Sequence, residues 1–225
     1  VIDSIFGKVV VDDYRWLEDV NNPQVKDWLK KQANLTNDIL DNIPGRNTLI
    51  EEFRKTEQLA SSEISLFITR QAGRYFYKKT KAGENVPSLY YRQGKKGKET
   101  LLFNPGSDSV SFNFLPSKDG KKVALSLSAK GNFDITTAKI LDVDTRKFYR
   151  DSIYPVGTIY AWSPDSKGFI HVDLQTSDKY SNNLWKDITI RYHQLNTEVR
   201  NDKAIFSSSC LFVGVHFLLC LCKTN

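Results

Sequence analysis

Serine, histidine and aspartate all occur in this chain of 225 residues, so acyl transfer by an activated hydroxyl is the first chemistry to test. A serine nucleophile on an α/β-hydrolase sheet needs a G-x-S-x-G elbow, because the sharp turn that presents the hydroxyl tolerates little bulk on either side. No two of the twelve glycines stand four apart. The nearest serine clusters, "PGSDS" around Ser107 and "SSSC" around Ser209, lack that frame and read as turn serines. His171 in "GFIHVDL" and His193 in "RYHQL" fall on alternating, strand-like runs, and His216 sits in an apolar stretch, so all three are expected in structural roles. The adjacent acids Glu18 with Asp19, and Glu51 with Glu52, read as helix-entry charges rather than as an acid and a base flanking a substrate.

Metal chemistry finds no better support. Cys210, Cys220 and Cys222 cluster at the C-terminal end without CxxC spacing or a neighbouring His/Asp ligand set, which leaves the body of the chain without a disulfide option. That distribution fits a reducing compartment. No catalytic, cofactor-binding or metal-binding residue is assigned, and no cofactor is expected.

The formal net charge of +6 would suit an anionic partner, but the lysines are dispersed. Lys78 to Lys81, Lys95 to Lys98, and Lys121 with Lys122 each lie beside a glycine-containing turn and are separated by strand-like runs. Solvated hairpin turns account for them, and no nucleic-acid partner is expected. Asp3, Lys8, Asp12 and Asp13 interrupt the first apolar residues, so no signal peptide is read there and a cytoplasmic location is expected. A chain that begins with Val and contains no Met reads as a piece of something longer.

The elements that would position any site fall into two groups. Pro23 stands at a first helical position, and Val25, Trp28, Leu29, Leu35, Ile39 and Leu40 recur at helical spacing, which predicts a helix to about Asn42. After "PGRN", Thr48 and Glu51 form a capping-box pattern ahead of a second helix to about Leu59. Residues 1–60 are therefore expected to be a mainly helical segment. From Ser61 the period changes to two, in short runs such as "RYFYKK", "SLYYRQ", "KVALSLS" and "DITIRYHQL" bounded by turn residues.

These runs repeat. Gly73, Gly120 and Gly168 each precede a strand at intervals of 47 and 48, and "LYYRQ", "KILDVD" and "RYHQLN" follow about 20 residues after each. A period of 40 to 50 residues with about four strands matches a propeller blade. The predicted fold is mainly β with an N-terminal helical segment, residues 61–203 forming about three four-stranded blades. An irregular β-sandwich satisfies the alternation as well, but does not require the shared register.

The stretch "DDYRWLEDVNNPQVKDWL" from Asp12 to Leu29, followed by two helices and this repeat, resembles the N-terminal part of the prolyl oligopeptidase family of serine peptidases. The runs "GRYFYKK", "SKDGKKVALSLSAKG", "WSPDSKGFIHV" and "NNLWKDITIRYHQL" extend the likeness over most of the chain. The resemblance implies a seven-bladed propeller that caps the active site of a C-terminal α/β-hydrolase domain and admits short peptides, which are cleaved after proline. The family's catalytic residues belong to a later part of its sequence, and no position here matches them. The chain is thus expected to be a non-catalytic N-terminal part, with a stand-alone propeller-like interaction module as the alternative.

The repeat breaks at "SSSCLFVGVHFLLCLCKTN", where no charged residue occurs between Lys203 and Lys223. Residues 204–225 read as an apolar, divergent tail. A truncated or shifted reading frame, a membrane anchor over 204–222 and a degenerate fourth-blade strand are the readings it admits. Three blades alone expose apolar faces and strand edges, so self-association or aggregation is expected.

Overall fold

The computed structural model describes residues 2–59, 62–64, 68–106, 110–129 and 131–207. The chain divides into two compact units, Val1–Ser61 and Ser62–Asn225.

The first unit opens with a hairpin that the helical reading of residues 1–60 did not contain. Strand β1 (Ile2–Ile5) pairs antiparallel with β2 (Lys8–Val11) across Phe6 and Gly7, both at positive φ, which is the backbone a two-residue hairpin needs. Arg15, in a 3-10 turn over Arg15–Glu18, binds Asp3 of β1 and Asp12, the latter through Nε at 2.9 Å. Its guanidinium holds the half-buried Asp12 carboxyl below the usual carboxylate range.

Helix α1 spans Pro23–Asp41, with Pro23 at its first position and the Asn22 side chain accepting from the Gln24 N–H at 2.9 Å. Helix α2 spans Arg46–Leu59. It begins directly after Gly45 (φ +81°), so Thr48 lies inside the helix and the expected capping box at Thr48 and Glu51 is not its start. Val25 is the one large apolar side chain of α1 that is buried. Leu29, Leu35, Ile39, Leu49 and Phe53 are exposed, Ile39 at 59% and Phe53 at 61%.

The second unit is built from antiparallel strands in blades. In blade 1, β3 (Ser62–Ile64) and β4 (Thr69–Gln71) pair with opposite ends of β5 (Arg74–Lys81) and act as one interrupted strand. Then β6 (Ser88–Gln93) and β7 (Thr100–Phe103) complete the blade.

The remaining strands are β8 (Val110–Pro116), β9 (Lys122–Ala129), β10 (Thr136–Asp142), β11 (Phe148–Trp162), β12 (Gly168–Asp173), β13 (Thr189–Gln194) and β14 (Lys203–Ser207). They hydrogen-bond in sequence order as one seven-stranded sheet. The seven strands are two blades joined by a shared strand. The first part of β11 pairs with β10, its last part pairs with β12, and Val156 has a partner on each side at the changeover. Blade 2 is therefore β8, β9, β10 and early β11; blade 3 is late β11, β12, β13 and β14. Strand β14 takes in residues 204–207, which the sequence had set aside with the apolar tail. The rest of that tail, with Cys210, His216, Cys220 and Cys222, lies outside the described residues.

Alternation explains how blades stack. On β9, Val123 and Leu125 join Phe76, Leu89 and Leu102 of blade 1, while Ala124 between them faces Trp162 and Phe169 of blade 3. A strand buried on both faces loses the polar half of its pattern, which is why "KVALSLS" is mostly apolar. The small Ala124 and Ala138 make room for the two large rings.

The repeated turn has a structural use. Ser117 Oγ bonds Asp119 Oδ1 at 2.5 Å, and Asp119 Oδ1 accepts from Lys121 N–H; Ser163, Asp165 and Lys167 repeat the arrangement. Adjacent copies bond each other, since Asp119 N–H donates to Ser166 Oγ at 3.1 Å and Arg74 Nη1 to Gly120 O at 3.1 Å. Trp162 Nε1 donates to Leu115 O at 2.8 Å, one blade away. Gly168, however, is not the counterpart of Gly120. The positive-φ position of the third turn is Ser166 (φ +57°), and Gly168 is the first residue of β12, where a Cβ would fall on the His193 carbonyl.

Candidate functional site

His171 and His193 are brought together on neighbouring strands β12 and β13, and neither retains any exposed side-chain surface. Asp202, in the segment leading into β14, bridges them. Its Oδ2 lies 3.0 Å from His171 Nε2, and its Oδ1 lies 2.7 Å from His193 Nδ1. The other ring nitrogen of His193, Nε2, reaches Asp151 Oδ1 on the blade 2 part of β11 at 3.0 Å. Asp151 Oδ1 also accepts from the Asn196 N–H at 2.6 Å. The result is a buried chain, His171, Asp202, His193, Asp151, that crosses the seam between blades 2 and 3 beside Phe169, whose ring centroid is 5.2 Å from that of His193.

These four side chains tie β11, β12, β13 and the segment before β14 together. A general base must present a free ring nitrogen to a nucleophile while a carboxylate orients the other. Both nitrogens of His193 face carboxylates; His171 holds Asp202 through Nε2 while its buried Nδ1 has no partner among the described residues, and neither histidine has a hydroxyl partner among them. Burial lowers the His171 pKa, against the opposing pull of Asp202. The carboxylates were the part missed from sequence. Asp151 shares the inward phase of β11 with the buried Ile153, so its inward register was available as a signal, because a buried carboxylate needs a partner.

The other candidates from sequence do not converge. Ser107 and Ser209 lie outside the described residues. Glu51 and Glu52 are exposed on α2, and Glu18 pairs with Arg15 at 3.4 Å. Among the lysines, Lys79 binds Glu99 at 2.8 Å and Lys122 binds Asp119 at 3.3 Å, each within its own blade. Among the described residues, no three or more His, Cys, Asp or Glu side chains are grouped to hold a metal ion. Likewise no helix among them is long and apolar enough to cross a membrane.

Antiparallel order sorts the connections onto two rims of the blade unit. Tight polar turns at 72–73, 117–121 and 163–167 share one rim, and longer loops at 82–87, 131–135 and 174–188 share the other. The second rim carries the exposed rings of Phe133, Tyr180 and Trp185. A helical pair with an exposed apolar stripe, followed by serially stacked blades, is the arrangement that the sequence resemblance implied. Residues 1–215 match the family model described as the prolyl oligopeptidase N-terminal beta-propeller domain.

The chain belongs to the prolyl oligopeptidase family. It is 27% identical to a prolyl endopeptidase of Elizabethkingia meningoseptica over 215 residues, covering 90% of this chain and 29% of the relative. A prolyl endopeptidase of Elizabethkingia miricola is 28% identical with the same coverage. Among solved structures, a prolyl endopeptidase superposes with a TM-score of 0.76 at 33% identity, covering 92% of this chain and 31% of its own. Oligopeptidase B from Leishmania major shares the fold at 15% identity, with a TM-score of 0.67 over 89% of this chain and 28% of its own. The chain thus corresponds to the N-terminal, propeller-bearing part of prolyl oligopeptidases and spans under a third of the length of these relatives.

Proposed function

We propose that this chain is the access-restricting, non-catalytic part of a proline-specific serine peptidase. Its blades would wall the entrance to an active site carried by an α/β-hydrolase domain, so that short peptides enter and folded proteins do not. The observation that carries the reading is the combination of serial blades matching the propeller domain with the lack of any G-x-S-x-G elbow in the 225 residues. The stripe of Leu29, Leu35, Ile39, Leu49 and Phe53 supports a second role, docking that hydrolase domain. Prolyl endopeptidase activity, cleavage after proline, belongs to the assembled enzyme in this reading.

The purified chain is to be tested with a fluorogenic proline-containing peptide and with a serine-reactive phosphonate label. No turnover and no labelling are expected. Turnover that copurifies with the chain, together with a labelled serine within it, would overturn the proposal. A stand-alone interaction module is the second reading, favoured by the same exposed stripe; a defined complex with stoichiometric partner, seen by light scattering, would select it.

A further inference from the structure

The seam between blades 1 and 2 contains a cavity of about 390 Å³ that the access-restricting role does not use. It is lined by Lys78 of β5, Val86 and Pro87 of the loop after β5, Val110 and Phe112 of β8, and Phe133 of the loop after β9. The Lys78 ammonium bonds the Phe112 carbonyl and stands 4.6 Å from the centre of the Phe112 ring. Asn113 Oδ1, at 3.5 Å, is a weak further contact. Among the described residues Lys78 has no carboxylate partner, in contrast to Lys79 next to it, and no acidic residue lines the cavity. Burial lowers the Lys78 pKa, which is the mark of an ammonium stripped of water without a compensating anion. Ser111 is already committed to Ser128, at 2.7 Å between hydroxyls, whereas the exposed Asn85, which also lines the cavity, has no hydrogen-bond partner among the described residues.

We propose that this cavity binds an apolar carboxylate, the free C-terminal residue of a peptide, with Lys78 as counter-ion and Phe112, Phe133 and Pro87 as the apolar walls. The chemistry is complementary at three points. A carboxylate neutralises Lys78, the one cation that lines the cavity among the described residues, an apolar side chain fills a volume within the usual range for small-ligand sites, and the Asn85 amide matches the peptide group that precedes a C-terminal residue. A free aromatic acid offers the first two features but not the third.

The test uses the whole chain and three probes, read by ligand-observed NMR and calorimetric titration: acetyl-Ala-Phe with a free carboxylate, the same peptide as its C-terminal amide, and 3-phenylpropanoate. Saturable binding of the acid peptide is expected, weakened about 10-fold or more by the amide or by Lys78→Met, as loss of a charge-assisted hydrogen bond requires. Weaker binding of 3-phenylpropanoate than of the acid peptide is also expected. The acid and amide pair acts on the unaltered protein, so the test stands even if Lys78→Met does not fold. Equal binding of acid and amide, absence of saturable binding, or binding of 3-phenylpropanoate without the peptide would each overturn the assignment.

Discussion

Asp202→Ala removes the central link of the buried histidine–carboxylate chain and measures how strongly that chain joins blades 2 and 3. Each Asp202 oxygen serves a different ring, at 2.7 Å for His193 and 3.0 Å for His171, and the side chain has no exposed surface. Alanine leaves two ring nitrogens without partners where water does not reach. Hydrogen bonds to a carboxylate contribute about 1.5–3 kcal/mol each, and leaving a buried ring nitrogen unpaired costs about 1–3 kcal/mol. The alanine also relieves the desolvation of Asp202 itself, so the expected loss is about 3–5 kcal/mol rather than the full sum of two bonds. Against the roughly 5–15 kcal/mol that holds a typical domain, this is a large share. Urea unfolding followed by tryptophan fluorescence reads it directly, because Trp162 lies in the same seam. The midpoint should fall with little change in slope. Pairing the change with His193→Phe should give effects that are non-additive by about 1–3 kcal/mol. A loss below about 1 kcal/mol, or strict additivity, would refute the idea that the four side chains act as one unit.

The His171 ring gives a pH dependence of fixed sign. Its folded pKa is depressed by burial, so its contribution is fully present above the unfolded value of about 6.5 and is lost as pH falls below it, when the unfolded chain takes up a proton that the native ring resists. In His171→Leu the decline in the melting temperature between about pH 6.5 and 5 should flatten; an unchanged slope refutes the assignment. Gly120→Ala and Gly106→Ala both place alanine at positive φ, +67° and +80°. The first also puts a Cβ 2.9 Å from Gln71 O, whereas the second meets nothing within 4 Å. Denaturation should show Gly106→Ala losing about 1 kcal/mol and Gly120→Ala clearly more. Finally, Leu35→Lys and Phe53→Lys alter exposed stripe positions, so stability should stay within about 0.5 kcal/mol while light scattering shows less self-association. A large stability loss would mean that the stripe is already covered.

Blade repetition was legible because it rests on local chemistry. The Ser-x-Asp turn satisfies its own backbone, alternation assigns each strand a face, and the helical stripe from Val25 to Leu40 follows one period. What stayed hidden depends on pairs distant in sequence. Nothing local to Asp202 indicates that it meets rings at 171 and 193, and the position of Asp151 has meaning only once β11 is known to belong to two blades. The glycine register misled at one copy for the same reason. Gly168 is small because the His193 backbone crosses it, a close approach that sequence spacing imitates as a turn. The first hairpin was obscured by charge: Asp3 and Asp12 interrupt the apolar run, yet both are bound by Arg15.

The two seams of blade 2 solve the same packing problem with opposite electrostatics, and this difference decides where a ligand is expected. Both combine an apolar cluster with buried polar groups: Phe76, Leu89 and Leu125 on one side, Trp162 and Phe169 with the small alanines on the other. In the blade 2–3 seam, carboxylates from two blades meet two imidazoles. In the blade 1–2 seam, a half-buried ammonium meets a carbonyl and a ring face but no carboxylate among the described residues, beside about 390 Å³ of open volume. Desolvating a cation without an anion is unfavourable, so part of the free energy lost there is recoverable by a carboxylate, and the rest of the selectivity comes from the apolar walls and the Asn85 amide. The buried carboxylates Asp151 and Asp202 of the other seam offer an added acid no such partner. Selective binding of carboxylates should therefore map to the Lys78 seam and leave the His193 seam unperturbed, and chemical-shift changes confined to the latter on addition of the acid peptide would invert the argument.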